Sequence, residues 1–304
     1  MKLYKQIIIA LALIYLTLLA SDKMYCFLLN NNLYIKQTYI QKRKIDADII
    51  ILGNCVPYTT LNPSIFEKIT KLKTYNLAEY HSNITDNYLS YYIYLKKNKS
   101  PQKLIIYTSP ETFDPSFNTF NTYRFAHLLK DSKVCEIVKN TDPNYYKMSF
   151  IPFLKYGYYN NHIHFNALQG AKHFLTQRKN IQFKNGYLPL NERTGFKLAY
   201  PIGHKFIWDK MEEKQLIILI NLAKSKGTEV ILYESPIFIE KTNYQPNRSK
   251  ILKKIEAIAN RTNVEFIKFD SSNLSKSNFL NNVTLKGKEK LKFNIEFANL
   301  IKIK

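Results

Sequence analysis

The chain has 304 residues, enough for one large domain or two small ones with a substantial apolar core. Its 45 Lys and Arg against 23 Asp and Glu give a net charge of +22, so its surface attracts anions. This composition excludes the disordered and fibrous classes. Nucleic acid is not indicated, because the excess is mostly single lysines without a clustered arginine stripe. Anionic lipid and anionic polysaccharide stay open, although a scattered lysine excess without a binding role is the simpler interpretation.

The amino terminus carries the clearest targeting signal, an uninterrupted apolar run at residues 7–20. Fourteen helical residues span only about 21 Å, short of the roughly 30 Å hydrocarbon core. The run is therefore either the apolar region of a cleaved signal peptide or the first part of an anchor helix that continues to Leu29. We adopt the anchor, with residues 1–29 as the membrane segment and 30–45 as a polar, basic connector. The flanking charges do not decide orientation, and we expect the remainder outside the cytoplasm.

Five apolar runs punctuated by Gly, Pro and Asn then predict strands at residues 48–52, 73–77, 103–107, 228–233 and 264–268. Helices are predicted from Pro63 after an Asn62 cap, and at residues 86–96, 206–226, 251–259 and 285–301. This alternation predicts a parallel, doubly wound α/β sheet with helices on both faces.

Residues 111–205 interrupt the pattern with many Phe, Tyr, Asn and Pro. We predict short helices only at residues 123–129 and 167–177, and irregular structure elsewhere. A long irregular insertion usually covers or shapes a site. Its aromatic side chains either stack on sugar rings or, more simply, form a satellite core.

The cysteines are Cys26, Cys55 and Cys135, an odd number without a CxxC or Cys/His zinc spacing, so neither a disulfide framework nor a zinc site is predicted. His162 and His164 could pair on a metal only in an extended segment, and they have no third ligand. We predict no metal and no cofactor.

Four short sequence motifs resemble those of a known protein family. The first strand ends in Leu52-Gly53-Asn54-Cys55, Asn62-Pro63 follows, the second strand ends in Tyr75-Asn76-Leu77-Ala78, and the segment from Phe279 to Gly287 precedes the last helix. In layout this resembles the SGNH (GDSL-like) hydrolase superfamily, particularly its membrane-anchored bacterial members associated with acylation of cell-envelope polysaccharides. The resemblance covers about residues 46–110 and 206–301. It implies a flavodoxin-like, SGNH-type domain at residues 46–304.

The departures from the family pattern bear on chemistry. Cys55 stands for the family's nucleophilic Ser, Asn282 for its His base and Phe279 for the Asp that orients the His. An amide accepts no proton at neutral pH, and a phenyl ring orients nothing by hydrogen bonding. Ala78 and His81 fill places where the family has glycines near its oxyanion hole.

The strand ends supply the remaining candidates. Gly53, Asn54, Ala78, Ser109 and Glu111 are predicted to form the oxyanion or crevice positions, because ligands bind beyond the carboxyl ends of parallel strands.

Three functions stay open. The first is a catalytically degenerate member in envelope or exopolysaccharide biosynthesis. The second is a divergent acyltransferase or esterase, in which His81 lowers the pKa of Cys55. The third is a basic, non-enzymatic adaptor at the membrane surface. The expected partners are the membrane, an anionic or acylated polysaccharide and other envelope-biosynthesis proteins, but not nucleic acid. Glu111 and Glu234 follow strands three and four and could share one crevice.

Overall fold

A computed structural model describes residues 2–117, 119–158, 160–176, 185–190, 203–238, 245–281 and 283–302. Their internal packing separates two units. The helical unit comprises residues 1–43 and 121–181, and the sheet unit comprises residues 44–120 and 182–304. The division into anchor, connector and domain made from the sequence stays a prediction.

The α-helices are α1 Lys2–Asn31, α2 Lys36–Lys42, α3 Cys55–Thr60, α4 Pro63–Thr70, α5 Ile84–Leu95, α6 Ser132–Thr141, α7 Pro143–Met148, α8 Leu154–Tyr158, α9 Asn160–Thr176, α10 Lys210–Ser225, α11 Arg248–Thr262 and α12 Gly287–Lys302. The strands are β1 Ile49–Leu52, β2 Thr74–Asn76, β3 Lys103–Tyr107, β4 Glu229–Glu234, β5 Glu265–Lys268, β6 Phe279–Asn281 and β7 Thr284–Leu285. Short 3₁₀ turns lie at Pro110–Phe113, Thr122–Arg124, Ala126–Leu128 and Lys276–Asn278.

Strands β1 to β5 form one parallel sheet in the order β2-β1-β3-β4-β5. Ile50 of β1 lies opposite Tyr75 on one side and Leu104 on the other. All four residues of β1 are buried, because a parallel sheet is covered on both faces and its strands therefore read as continuous apolar runs. The five strands and the doubly wound α/β class predicted from the sequence are confirmed.

The helices of the sheet unit flank this sheet on two faces. The chain leaves β1 in one direction for β2 and then crosses back to β3, β4 and β5, and right-handed crossovers place the two sets of helices on opposite faces. On one face α4 packs on α12 through Phe66 and Phe297, whose ring centroids are 5.7 Å apart. On the other face α10 bonds to α5, where Glu212 accepts from Thr85.

Side-chain caps start the helices that follow the strand ends. Asn54 accepts a hydrogen bond from the N–H of Val56 at the start of α3, and Asn62 caps α4. Asn83 and Asp86 form a reciprocal capping box at the start of α5. Each cap satisfies backbone donors that the first helical turn leaves unpaired, so the chain can enter a helix directly after a strand.

Helix α1 has two different halves. Its large apolar side chains from Leu3 to Leu16 are about half or more exposed, and the helix is long and apolar enough to cross a membrane. The helix continues without a break past Asp22, as predicted for an anchor. There it packs within the helical unit, with Lys155 Nζ 2.8 Å from the carboxylate of Asp22.

Residues 132–176 correct the prediction of irregular structure, because α6 to α9 occupy most of this stretch. Asp131 and Asp142 cap α6 and α7, with a proline at the first turn of α7, so local start signals were present. Dense aromatic residues hid the apolar period. The short helix predicted at residues 123–129 is instead a pair of 3₁₀ turns, and residues 36–42 of the predicted connector form α2.

Strands β6 and β7 form a small antiparallel pair just before α12. The sequence predicts no strand there. The pair is too short for an alternating pattern to be visible, although Phe279 and Leu285 are both buried.

Candidate functional site

The turn after β1 requires glycine. Gly53 has φ 149°, and a Cβ built there would lie 2.5 Å from Pro57 Cγ and 2.7 Å from Tyr107 Cβ. Asn54 caps the helix that follows, so its side-chain oxygen is occupied by the N–H of Val56. The predicted pair Gly53-Asn54 therefore shapes the turn.

A hydrogen-bond network that runs from Gly53 through Asn87 and Asn83 to Glu212 holds this turn. The Gly53 N–H donates to Asn87 Oδ1 over 3.0 Å, and Asn87 Nδ2 donates to the carbonyl of Asn83 over 2.8 Å. The side chain of Asn83 in turn donates to Glu212, which also accepts from the N–H and hydroxyl of Thr85. The amide of Gly53 is thus committed to the protein.

Cys55 is the first residue of α3 and is partly exposed at the end of β1. Burial raises the pKa of its thiol to about 11, and the negative charge of Glu111 raises that pKa further. The backbone N–H groups of Cys55 and Val56 act in the opposite direction but do not overcome these two causes. The thiol is therefore protonated at neutral pH, and the thiolate is the nucleophilic form.

The end of β2 is also committed to internal hydrogen bonds. The Ala78 N–H donates to Asn76 Oδ1 over 3.0 Å, and Asn76 Nδ2 donates to the carbonyls of Pro57 and Leu61. Ala78 is fully buried. The backbone donor at this family position is consequently held by a neighbouring side chain.

Tyr80 interacts electrostatically with Cys55. Burial raises the pKa of Tyr80, and the charge of Cys55 adds to that rise. His81 is exposed, adopts φ 52°, and its Nδ1 lies 3.5 Å from the carbonyl oxygen of Phe117. None of the groups that set the pKa of Cys55 is an imidazole. The Cys55–His81 dyad stays a prediction.

Buried carboxylates gather beyond β3 and β4. The hydroxyls of Tyr107 and Ser109 both donate to Glu111, which is almost fully buried. Glu234, at the end of β4, forms a buried ion pair with Arg248 at the start of α11. Burial raises the pKa of Glu234 to about 7, Arg248 opposes that rise, and Glu111 adds to it. The two carboxylates therefore share one environment.

A second acid on the same turn orients a histidine. Asp114 Oδ2 lies 2.9 Å from His204 Nε2 and also accepts from the N–H of Ile207. Burial alone would raise the pKa of Asp114, but hydrogen bonds from His204, Ser116 and Ile207 outweigh it and lower the pKa below its usual value. His204 is partly exposed and packs against Phe117.

The carboxyl-terminal positions of the family dyad have different surroundings. Phe279 is fully buried in β6, with its ring centroid 5.9 Å from that of Phe238. Asn282 lies outside the described residues. Phe279 thus contributes to the apolar packing of the small β-pair.

No group of three or more His, Cys, Asp or Glu side chains in the described part of the chain could hold a metal ion. His162 and His164 lie on α9, where residues two apart project in different directions. His162 stacks on Tyr123, and His164 Nδ1 lies 3.0 Å from the Tyr25 hydroxyl. The extended segment that a metal pair needs is therefore not formed. Cys26, Cys55 and Cys135 are all free thiols.

In chemical terms, this edge of the sheet combines a protonated thiol, a carboxylate bound by two hydroxyls and a buried Glu–Arg pair. Such a set can hold a polar ligand by hydrogen bonds and charge. A thiol next to a carboxylate is poorly suited to attack an ester carbonyl, because the carboxylate disfavours thiolate formation.

No protein-family model and no curated protein matches the chain. Among solved structures, a protein named as lipolytic, of the G-D-S-L family, from Desulfitobacterium hafniense DCB-2 matches with 10% identity and TM-score 0.40, covering 84% of this chain and 99% of its own. A protein named as an acylhydrolase from Bacteroides fragilis gives 11% and 0.40, covering 90% and 98%. A GDSL-like lipase from Bacteroides thetaiotaomicron gives 12% and 0.41, covering 91% and 98%. Function is therefore argued from the chain's own residues.

Sequence reasoning missed Arg248, Tyr80 and the Asp114–His204 pair. A signal for Arg248 existed, since a carboxylate at the buried end of a central strand needs a counter-charge. Asp114 and His204 are 90 residues apart in the chain. Their pairing follows from the fold and from no local pattern.

Proposed function

We propose that this chain is a membrane-anchored, extracytoplasmic protein with an SGNH-hydrolase-like sheet unit that has lost ester-transfer chemistry and that binds ligands in envelope or exopolysaccharide biosynthesis. One observation carries the loss of catalysis: the thiol at the nucleophile position has a pKa of about 11 and stands beside the charge of Glu111. A working nucleophile of this kind needs a lowered pKa or an adjacent base.

Two features support the same conclusion. The amides of Gly53 and Ala78 are engaged by the side chains of Asn87 and Asn76, so neither is free to stabilise an oxyanion. Phe279, at the position of the family's acid, is buried against aromatic neighbours. Nucleophile, base support and oxyanion donors are all altered.

The membrane anchor and the glycan ligand in this proposal are supported by different observations. The exposed apolar half of α1 supports an uncleaved anchor. The net charge of +22 supports an acidic polysaccharide as ligand, because long-range attraction does not need a clustered patch. The acyl group and the sugar are left open.

Alkylation of Cys55 by iodoacetamide across pH, read peptide by peptide by mass spectrometry, tests the loss of catalysis. We expect slow labelling at pH 7 that keeps rising up to about pH 11, the pKa of the thiol. Glu111→Gln removes the neighbouring charge and should speed labelling at pH 8 roughly fivefold, since each unit of pKa changes the thiolate fraction tenfold. Glu229→Gln, the same change at the start of β4, should leave the rate unchanged.

A contrary result is equally clear. Fast labelling at mildly acidic pH that His81→Ala abolishes would establish the Cys55–His81 dyad and favour the acyltransferase or esterase alternative. In cells, Cys55→Ala should leave acylation of the envelope polysaccharide intact. Loss of acylation in that variant would also overturn the proposal.

A further inference from the structure

The helical unit exposes a concentrated set of large apolar side chains outside α1. They are roughly half or more exposed and belong to α9 and to the segment before α8: Phe150, Ile151, Leu154, Leu168, Phe174 and Leu175. Large apolar side chains exposed together on one unit indicate a membrane or protein contact.

Helix α9 crosses α1 closely. A Cβ built on Gly170 would lie 1.8 Å from the carbonyl oxygen of Leu28. The two backbones therefore approach so closely that only glycine fits at position 170. Near one end of α9, His164 bonds to Tyr25 whereas Asn166 accepts from Asn32, which lies seven residues further along the chain, just past the end of α1. Two residues that are two positions apart on α9 thus contact residues that are seven positions apart. This requires the two helices to cross, because helices that run side by side would have similar spacings on both.

The same contacts fix which side of α9 faces the membrane end of α1. Phe174 packs on Phe27, with ring centroids 5.0 Å apart, while the neighbouring His173 accepts from the N–H of Leu33. His164 and Phe174 therefore face the amino-terminal, apolar part of α1. At about 100° per residue, Leu168 and Leu175 lie on that side of α9.

The segment before α8 reaches even nearer the apolar half of α1. The Phe153 N–H donates to Asp22 Oδ1 over 3.1 Å, and Lys155 neutralises the same carboxylate. Asp22 follows the exposed apolar stretch almost directly. Phe150 and Ile151, 70% and 50% exposed, precede Phe153 by only three and two residues in the chain.

Continuity with α1 indicates what covers these side chains. Residues 3–20 of α1 span about 27 Å, close to a hydrocarbon core. Met24 and Phe27, beyond Asp22, are still about half exposed, so apolar surface continues from the spanning stretch up to α9. Lys147 is exposed on α7, three residues before Phe150, and can reach lipid phosphates.

We propose that the helical unit lies on the bilayer that α1 spans, with Leu168, Phe174, Leu175 and the 150–154 segment inserted at the headgroup–acyl boundary. This inference rests on the anchor of the proposed function. The lipid surface is then a second, peripheral membrane contact, of the kind made by amphipathic helices that lie in the interface plane.

Added tryptophans in the full chain test the proposal. Leu168→Trp and Phe150→Trp are reconstituted separately into mixed phosphatidylcholine–phosphatidylglycerol vesicles, with and without lipids brominated near the headgroup. Emission of the native Trp208 is subtracted using the unsubstituted protein in the same vesicles. We expect both added tryptophans to lose most of their emission to the bromines.

Two matched positions make the outcomes distinguishable. Phe165→Trp, exposed on the same helix but turned away from the membrane side, should stay unquenched. Tyr15→Trp reports the anchor. Quenching at Tyr15 without quenching at positions 150 and 168 would overturn this inference and leave the anchor standing. No quenching at any position would overturn both. Equal quenching at 165, or unquenched, blue-shifted emission at 168, would overturn the inference in favour of unoriented insertion or a protein partner, respectively.

Discussion

The loop after β1 and the loops after β3 and β4 lie at the same edge of the sheet but are held by different forces. The first is fixed by neutral groups, with the Gly53 amide bound to Asn87, and in the neighbouring loop after β2 the Ala78 amide is likewise bound to Asn76. The others are fixed by charge, with Glu234 paired to Arg248.

The shape of the β1 turn and the reactivity of the thiol in it are therefore determined by different groups. The shape of the β1 turn depends on close packing of Gly53 and on amide hydrogen bonds, none of which needs a reactive Cys55. Reactivity depends on burial, which raises the pKa of the Cys55 thiol, and on the negative charge of Glu111, which adds to that rise. The shape of this turn therefore does not depend on whether Cys55 is reactive.

The strongest test of the packed side is Gly53→Ala. The added Cβ meets Pro57 and Tyr107 at 2.5 and 2.7 Å, and φ 149° disfavours any side chain. Strain and overpacking together should lower the free energy of unfolding by about 4 kcal/mol. Denaturant titration in detergent measures it through Trp208, which stacks on Phe113 inside the sheet unit.

Gly227→Ala is the matched control. Gly227 has φ 75° but nothing within 4 Å of the added Cβ, so only the backbone cost of about 1 kcal/mol applies. Equal losses in the two variants would show that the β1 turn is not held by packing.

Most of the sheet unit could be predicted from the sequence, because its strands are continuous apolar runs bounded by turn residues. Asn62-Pro63 also predicted the start of α4, since that cap is a local interaction. The helical unit could not be predicted in the same way. Its apolar residues serve the packing of Gly170 on Leu28 and an exposed face, so no single helical stripe separates inside from outside.

The candidate site likewise contains residues that the sequence predicts and partners that it does not. Gly53, Asn54 and Cys55 were located because they follow a strand, and Glu111 for the same reason. The hydrogen bonds that occupy the Gly53 and Ala78 amides come from other elements. So does Arg248, which reaches Glu234 from α11. The state of a thiol depends on such distant partners, and one sequence does not reveal them.

Arg248→Met tests whether the buried Glu234–Arg248 ion pair holds the loop after β4. The variant keeps the apolar stem but leaves Glu234 buried without its counter-charge, near Glu111. Breaking a buried ion pair from one side should cost about 3 kcal/mol of the free energy of unfolding. Arg261→Met is the control, because its pair with Glu213 is largely exposed and should contribute less than about 1 kcal/mol. A loss in Arg248→Met as small as in the control would show that charge does not hold this side.

The smallest effect we expect is a pH dependence of the unfolding free energy, caused by Glu212 at the far end of the Gly53 hydrogen-bond network. Burial raises its pKa from 4.5 to about 7, hydrogen bonds from Thr85 oppose the rise, and Asp86 adds to it. Because the folded state binds this proton more tightly than the unfolded state, the stability it contributes is complete below pH 4.5 and is lost as pH rises towards 7.

Relative to Glu212→Gln, which does not titrate at this position, the wild type should therefore lose about 2 kcal/mol of unfolding free energy from pH 5 to pH 8. Lys214→Gln, which removes one charge from the exposed side of the same helix, should show no such change over this range. A pH-independent difference for Glu212→Gln would mean that Glu212 is charged throughout. The support of the β1 turn would then be ionic, like that of the loops after β3 and β4.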